Sequence, residues 1–583
     1  MIHLTIDNKP VEAEEGMTIL QAAKSVGIDI PTLCFLKEIN EVGDCRMCIV
    51  KVKGRKGFAT SCIQKVEEGM EVLTNSAEVM EARRTILDLI LSNHHRDCLT
   101  CVRNGHCELS ALARKFNVQH IEYEGEVSNH KIDDSSPCLI RDFRKCILCR
   151  RCVSTCTKVQ DIGAIDCINR GFDSCISTTY DLSLNDVSCT FCGQCVQACP
   201  TGALREKESI KDVWRDLSDP NMVCIAQTAP AVRVALGEMF GNKIGTNVSG
   251  QMVSALKALG FDYVFDTNYA ADMTIMEEAN EFIERVTHNG VLPMMTSCSP
   301  AWIRFMEKNY PDYLDHLSTC KSPQMMFGAI LKSYFAKKNH LDPSHIRVVS
   351  IMPCIAKKAE IKLDDMEVDG LRDVDYVLTT RELGRMIDQA NIDFNELNET
   401  PFDHPLGMAS GAGAIFGTSG GVMEAALRTA ADKLTGQDLP KFEYQQVRGT
   451  TGIVETSITI GETTINVAVA SSLKNARIIM EQIKAGTCKY HFVEIMSCPG
   501  GCIMGGGQPI NSAKTLANID VKKRRRDAIY KIDEQSTIRK SHQNPVVLTT
   551  YQEFFGSPGS DIAHKYLHTH YHPQPLYNID ESK

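Results

Sequence analysis

The chain has 583 residues, enough for several domains and a large core. Its formal net charge of −10 argues against general nucleic-acid binding. No uninterrupted apolar run approaches the length of a membrane span. The opening MIHLTIDNK lacks the charged-then-apolar layout of an export signal, so the expected location is the cytoplasm. Twenty-five cysteines at close, irregular spacings in so long a chain read as metal ligands in a reducing compartment, not as disulfides.

Residues 1–78 open with a strand at His3–Ile6, a turn at Asp7, Asn8 and Lys9, and a second short strand. A helical stretch follows from Thr18, with Ala22, Ala23 and Val26 apolar, which is the start of a β-grasp ferredoxin pattern. Then come Cys34, Cys45, Cys48 and Cys62, the middle pair separated by the two residues that let adjacent thiolates bind one compact cluster. Plant-type spacing has four residues between the first two ligands, and here there are ten. In this fold context a [2Fe–2S] cluster is favoured over zinc. Residues 79–125 carry a helical pattern over Val79–Ser92, then His94, Cys98, Cys101 and Cys107. One imidazole and three thiolates can close a [4Fe–4S] cluster, and a neutral imidazole makes it less negative and tends to raise its potential. His95 and His106 stand nearby as competing imidazoles.

Residues 126–208 hold the strongest spacing signal. Cys146, Cys149, Cys152 and Cys156 form one run; Cys189, Cys192, Cys195 and Cys199, followed by Pro200, form the other. This is bacterial two-cluster ferredoxin spacing, in which the fourth cysteine of each run serves the other cluster. Cys146, Cys149, Cys152 and Cys199 are therefore expected around one [4Fe–4S] cluster, and Cys189, Cys192, Cys195 and Cys156 around the second. Closely spaced clusters of this kind serve as a relay for single electrons.

From residue 209 to 583 cysteines thin out and apolar helical and strand patterns alternate, as in a large α/β domain. The segment Gly411–Gly421 misses the dinucleotide fingerprint in its glycine spacing. The basic run Lys522–Arg526 reads as a solvated face. Six cysteines outside every cluster pattern, Cys138, Cys167, Cys175, Cys224, Cys320 and Cys488, read as small buried hydrophobes.

Three loops in this domain follow strand-like runs and offer thiols. Thr296–Trp302 reads TSCSPAW after Gly290–Met295; Met352–Glu360 reads MPCIAKKAE after Ile346–Ile351; Glu494–Pro509 reads EIMSCPGGCIMGGGQP after Tyr490–Ile495. They suggest one site above the strand ends of an open α/β sheet. The glycines at 500, 501, 505, 506 and 507 would let backbone pass very close to whatever the thiolates hold.

These loops closely resemble the three signature motifs of the [FeFe]-hydrogenases: Thr-Ser-Cys-Cys-Pro-x-Trp, Met-Pro-Cys-x-x-Lys-x-x-Glu and Glu-x-Met-x-Cys-x-x-x-Cys. The second and third match at every defined position, and Gly411–Gly421 matches a glycine-rich segment of that family's catalytic domain. The long gap after Cys34 resembles the [2Fe–2S] domain of multi-cluster hydrogenases and of complex I's large electron-transfer subunit. His94 stands where both families place a histidine ligand.

The resemblance implies an H-cluster: a [4Fe–4S] cubane joined through one cysteine sulfur to a two-iron centre bearing CO, cyanide and a bridging dithiolate amine. Cys502 matches the bridging position, and Cys354 and Cys498 match two further cubane ligands. Lys357 matches the lysine that hydrogen-bonds one cyanide. Pro230 and Gln324 match further pocket contacts, and Met352 and Met496 match methionines lining the distal iron. Cys298, Glu278, Ser318, Glu281 and Arg285 match the family's proton relay. Glu278 and Glu281, three apart in a helical stretch, share a face.

The departure is Ser299, where the family has a cubane-ligating cysteine. Alkoxide is a poorer ligand than thiolate at iron–sulfur clusters. Two readings stand: Ser299 ligates or leaves a labile corner while Cys298 relays protons, or Cys298 ligates and Ser299 relays. The implied activity is reversible H2 oxidation, with one [2Fe–2S] and three accessory [4Fe–4S] clusters feeding the H-cluster. The implied partners are ferredoxin or flavin–NAD(P) subunits, together with dedicated maturation proteins. The alternatives are a complex I-like electron-transfer subunit without hydrogen chemistry, and a hydrogen sensor.

Overall fold

The structure is a computed structural model that describes residues 1–124, 127–128, 131–438, 443–449, 452–460 and 463–579. The expected boundary at 125/126 and the expected end at 583 fall on positions outside the described residues, 125, 126 and 583.

At the N-terminus, a five-stranded sheet runs in the order Lys9–Ala13, Ile2–Ile6, Glu71–Leu73, Ile49–Val52, Ala59–Thr60. Ile2–Ile6 pairs antiparallel with Lys9–Ala13 and parallel with Glu71–Leu73. The helix Ile19–Ser25 covers it. Thr18 starts that helix through a reciprocal capping box with Gln21, and Ile19, Ala22 and Ala23 face the core. The helix Ala77–Ser92 follows, with Ser76 accepting from Val79 at its N-cap.

The two-cluster region repeats itself in backbone as well as in sequence. Each cysteine run leads into a short helix, Arg151–Ser154 or Gln194–Ala198, through a left-handed residue, Arg150 or Gly193. The equivalent positions differ because of what faces them. A Cβ on Gly193 would lie 2.7 Å from Ile355 Cδ1 and 3.1 Å from Gly506 Cα. Arg150 is solvent-exposed and carries its side chain outward. One apolar cluster joins Val153, Phe191 and Val196 to Ala301, Ile355 and Ala356, so this region and two of the thiol-bearing loops share a core.

The catalytic region contains two four-stranded sheets, not the single sheet expected. One is all parallel, in the order Tyr263–Asp266, Val223–Thr228, Ile346–Met352, Tyr376–Thr379. Its central strands are near-continuously apolar because both faces are covered. The other runs Met294–Met295, Phe492–Met496, Thr463–Ser471, Ile453–Ile460, the last pair antiparallel. Between the cores lies the helix Thr267–Thr287. Tyr269, Ala270 and Met273 face one core and Ala271, Ile275 and Phe282 the other. A helix enclosed on both sides can place carboxylates deep in the protein, and Glu277, Glu278 and Glu281 are on it.

Four local expectations need correction. The glycines of the 494–509 loop make room for protein backbone: a Cβ on Gly505 would meet Pro353 O, and one on Gly506 would meet Cys192 O. Gly290–Met295 yields a strand of only two residues, Met294 and Met295. Of the six unassigned cysteines, Cys138, Cys175, Cys224 and Cys320 are buried, whereas Cys167 is exposed on an outer hairpin and Cys488 is half-buried. The basic run is not all solvated. Arg525 is buried, pairs through Nε and Nη2 with Glu238 at 2.7 Å each, and donates Nη1 to Ile503 O at 2.7 Å, beside Cys502. Arg525→Ala strands the Glu238 carboxylate in the interior and is expected to cost about 3–5 kcal/mol, read as a lower thermal midpoint. The double change Arg525→Met, Glu238→Leu should recover most of that loss.

Candidate metal centre

The two ferredoxin runs ring two cavities of about 490 and 520 Å³. Cys146, Cys149, Cys152 and Cys199 line the first; Cys189, Cys192, Cys195 and Cys156 line the second. The structure thus brings together each crossed set of four. Burial pushes the Cys146 and Cys192 thiols up to about 12, so thiolates here call for a compensating cation such as iron. Among the described residues no three His, Cys, Asp or Glu side chains converge tightly enough for a single metal ion. The thiols surround space instead, which suits a cluster better than zinc.

In the N-terminal region Cys34 lies beside Cys45 and Cys48 beside Cys62, each pair sharing a thiol hydrogen bond, and all four lie near one another. The histidine set is looser. Cys98 is exposed on a short turn and its carbonyl accepts from Cys101 N at 3.2 Å; Cys107 precedes the helix Glu108–Lys115 and neighbours Cys101. His94 Nδ1 is buried without a hydrogen-bond partner among the described residues, as a side chain meant for another ligand would be. Burial, with Lys145 and His95 adding, pushes His94 down to about 4, so the ring is neutral at physiological pH and able to bind metal.

A third cavity, about 800 Å³, collects the three loops. Cys298 and Ser299 come from the segment entering the helix Pro300–Asn309, Met352 and Cys354 from the end of Ile346–Met352, and Met496, Cys498 and Cys502 from the end of Phe492–Met496. Pro230, Gln324 and Lys357 complete the wall. Both sheets contribute strand ends, consistent with the rule that open α/β sites form there. Cys298, Cys354 and Cys502 are enclosed by protein, and what surface they keep faces this cavity. Cys192 lines this cavity and the second cluster cavity alike.

The donor set fits an H-cluster. Lys357 Nζ bonds Glu360 Oε2 at 2.8 Å, Glu360 Oε1 at 3.2 Å and Cys298 O at 3.2 Å, so a cation stands at the cavity wall where an anionic ligand would sit. Gln324 Nε2 donates to Glu360 Oε2 at 3.1 Å, while its Oε1 is buried without a partner. Glu360 closes the Met352–Glu360 motif, but nothing in the sequence disclosed its part as the bridge between Lys357 and Gln324. Two more side chains escaped sequence reading. Gln194 Nε2 reaches Cys498 Sγ at 3.2 Å. The buried Glu494 accepts from Gly420 N and Met423 N at 2.7 Å each.

Burial pushes the Cys298 thiol well up, and Glu278 is the charged group that adds most to it, ahead of Cys502. Among the described residues both Glu278 oxygens are buried without a partner within hydrogen-bond distance. Ser297 and Ser318 lie near enough to favour the charged form slightly, not near enough to bond. Beyond it, Ser318 Oγ donates to Glu281 Oε2 at 2.8 Å, and Arg285 Nη2 and Nε donate to Glu281 Oε1 at 2.6 and 3.1 Å. The five residues therefore follow one another from cavity to rim, with open steps on both sides of Glu278.

Burial, reinforced by Glu281, pushes Glu278 up to about 8 from an ordinary 4.5. The folded chain then holds a proton that the unfolded chain releases between those two values, so stability falls as pH rises across that window and the full loss is present above pH 8. Glu278→Gln should match the parent below about pH 4 and be more stable above pH 8, by on the order of 5 kcal/mol. Urea unfolding across pH checks this.

Residues 222–506 match the family described as iron only hydrogenase large subunit, C-terminal domain, and residues 519–574 that of iron hydrogenase small subunit. Residues 1–77 match a 2Fe-2S iron-sulfur cluster binding domain, 83–122 the NADH-ubiquinone oxidoreductase-G iron-sulfur binding region, and 141–203 a 4Fe-4S dicluster domain. The NADP-reducing hydrogenase subunit HndD of Solidesulfovibrio fructosivorans is 46% identical over 98% of this chain and 99% of its own. Iron hydrogenase 1 of Clostridium pasteurianum is 41% identical over 97% of this chain and 99% of its own. The solved structure of an apo variant of the [FeFe]-hydrogenase HydA1 from Chlamydomonas reinhardtii, 41% identical, superposes with a TM-score of 0.56 over 63% of this chain and 99% of that one. The catalytic-region match sets aside the readings without hydrogen turnover. This chain belongs to the [FeFe]-hydrogenase family, and is an iron hydrogenase with accessory iron–sulfur domains.

Proposed function

We propose that this iron hydrogenase oxidises H2 reversibly in the cytoplasm and exchanges electrons, through four accessory clusters, with a flavin- and NAD(P)-binding partner subunit or with ferredoxin. The name of the HndD relative, an NADP-reducing hydrogenase subunit, supports the partner-subunit form. The domains are 1–78, a β-grasp [2Fe–2S] domain; 79–125, a His94/Cys98/Cys101/Cys107 [4Fe–4S] domain; 126–208, two [4Fe–4S] clusters; and 209–583, the catalytic domain. The mixed sheet of residues 2–73, with its first and last strands parallel, supports the first.

When bound, the two-iron centre supplies the metal position at which hydrogen is split or formed. Cys354, Cys498 and Cys502 would hold the cubane, and Cys502 would also hold the two-iron centre. Lys357, fixed by Glu360, donates to an anionic ligand on the wall. Met352, Met496 and Pro230 present apolar bulk that excludes water. Cys298 takes or gives the proton at the cavity; Glu278, neutral near pH 7 because of its burial, passes it toward Ser318 and Glu281. Arg285 fixes Glu281 at the rim. Cys192, on the wall of both cavities, would hold the accessory cluster that exchanges electrons with this centre.

One observation carries this reading: Cys298, Lys357, Cys354, Cys498 and Cys502, from three separate loops, line a single cavity that shares Cys192 with a cluster site. Infrared spectra of the chain co-produced with maturation proteins should show metal-bound CO and cyanide bands; their absence after full maturation would reject it. In the same preparation Glu278→Gln should lower H2 turnover at least tenfold with the bands intact. Unchanged turnover would remove Glu278 from the proton route.

A further inference from the structure

Ser299 occupies the N-cap of Pro300–Asn309, where a serine ordinarily accepts a hydrogen bond from an amide two or three residues on. Its side chain makes no such bond. The hydroxyl is turned the other way: Ser299 Oγ lies 2.6 Å from Ser497 Oγ, one residue before Cys498, and Ser299 lines the cavity that holds Cys354, Cys498 and Cys502. Cys298 is held differently. Lys357 anchors its carbonyl at 3.2 Å. The Ser299 hydroxyl is thus held at the residue that leads into the cubane cysteines.

We propose that Ser299 Oγ is the fourth protein ligand of the cubane, with the Ser497 hydroxyl donating a hydrogen bond to it. The proposal rests on the reading of this cavity as the hydrogenase centre. Ligation breaks the Ser299 O–H bond and forms an Fe–O bond; the proton leaves to water as the cluster is inserted, and no electron moves. The 2.6 Å separation is a hydrogen-bonding distance, so the Ser497 hydroxyl can donate to Ser299 Oγ once Ser299 has lost its own proton. A serine corner binds iron less firmly than a thiolate does, because iron–sulfur clusters prefer soft donors. It also replaces sulfur by a harder donor, and ligand identity sets cluster potential. Ser497 then has a role of its own, since hydrogen bonds to cluster ligands tune the same potential.

The test uses the full-length chain produced with 57Fe and without maturation proteins, so that the cubane forms alone beside the accessory clusters. A Cys354→Ala, Cys498→Ala chain provides the accessory-cluster background for subtraction. Mössbauer and electron paramagnetic resonance spectra are then compared for the parent, Ser299→Ala, Ser299→Cys and Cys298→Ala. Mild oxidation should release one corner iron from the parent, giving a three-iron signal; Ser299→Ala should show it without oxidation, and Ser299→Cys should abolish it. Ser299→Cys should also shift the cubane midpoint potential upward, whereas Cys298→Ala should leave spectrum and midpoint at parental values. Ser299→Cys restores the family's own residue, so it remains informative if Ser299→Ala does not accumulate. A parental spectrum and midpoint in Ser299→Cys would overturn the proposal, as would loss of the corner iron in Cys298→Ala alone. If the matured parent shows CO and cyanide bands while either of those results holds, the ligand assignment falls and the hydrogenase reading stands.

Discussion

The contact on which the rest depends is a backbone crossing between the two-cluster region and the last thiol loop. A Cβ on Gly506 would lie 2.6 Å from Cys192 O and 2.8 Å from Gly193 Cα, so a side chain at either glycine would force the segments apart. Around the crossing, Gln194 donates to Cys498 Sγ and to Met504 O, and Gln197 Nε2 donates to Gln508 O at 2.7 Å. Arg381 Nη1 donates to Gly506 O at 2.8 Å while its guanidinium pairs with Glu206 on the accessory side. These bonds fix the second cluster cavity against the catalytic cavity, with Cys192 on the wall of both.

The same enclosure that keeps water out decides the charge states inside. A carboxyl removed from water without a full set of partners stays protonated to higher pH. Glu278 is the extreme case, with no bonded partner, and Glu494, pushed up to about 7, is the moderated one. Glu494 has partners because it sits at the N-terminus of the helix Gly421–Thr435, where Gly420 and Met423 amides point at it. The carboxylate thereby occupies the place where a phosphate would sit in a glycine-rich nucleotide loop. The glycines at 411–421 serve packing: a Cβ on Gly413 would strike Asn268 O, and one on Gly421 would strike Ile415 O. What distinguishes this segment from a nucleotide site is an internal anion supplied about seventy residues later, at position 494.

Spacing made the cluster sets legible. The crossing of Cys156 and Cys199 between cavities follows from two repeated runs alone, as does the gathering of the three thiol loops from their strand-end positions. Pairwise tertiary facts were not legible. Nothing local distinguishes Arg525 from Lys522 or Arg526 in a basic run; only Glu238, nearly three hundred residues earlier, makes it a buried partner. Glu360 and Glu494 stood inside recognisable motifs, yet their roles depend on what faces them: Lys357 and Gln324 in one case, a helix terminus in the other. The single expected sheet became two because Met294–Met295 pairs with Phe492–Met496 across some two hundred residues, a choice that apolar runs leave open.

The C-terminal segment braces the Ser318–Glu281 contact. Lys321 N donates to Leu567 O and Thr569 N to Thr319 O, so the tail adds backbone bonds to both sides of Cys320. Tyr571 OH donates to Ser318 O at 2.6 Å. His568 bridges Thr319 Oγ1 at 2.8 Å and Glu277 Oε2 at 3.1 Å, tying the tail to the helix that carries Glu278 and Glu281. The tail thus holds the Ser318 backbone on one side and Met295 O holds it on the other, while its hydroxyl donates to Glu281. Residues 519–574 match a family described as a small subunit, and here they are part of the same polypeptide. Covalent attachment makes their docking intramolecular, so the bracing of Ser318 does not depend on the concentration of a separate chain.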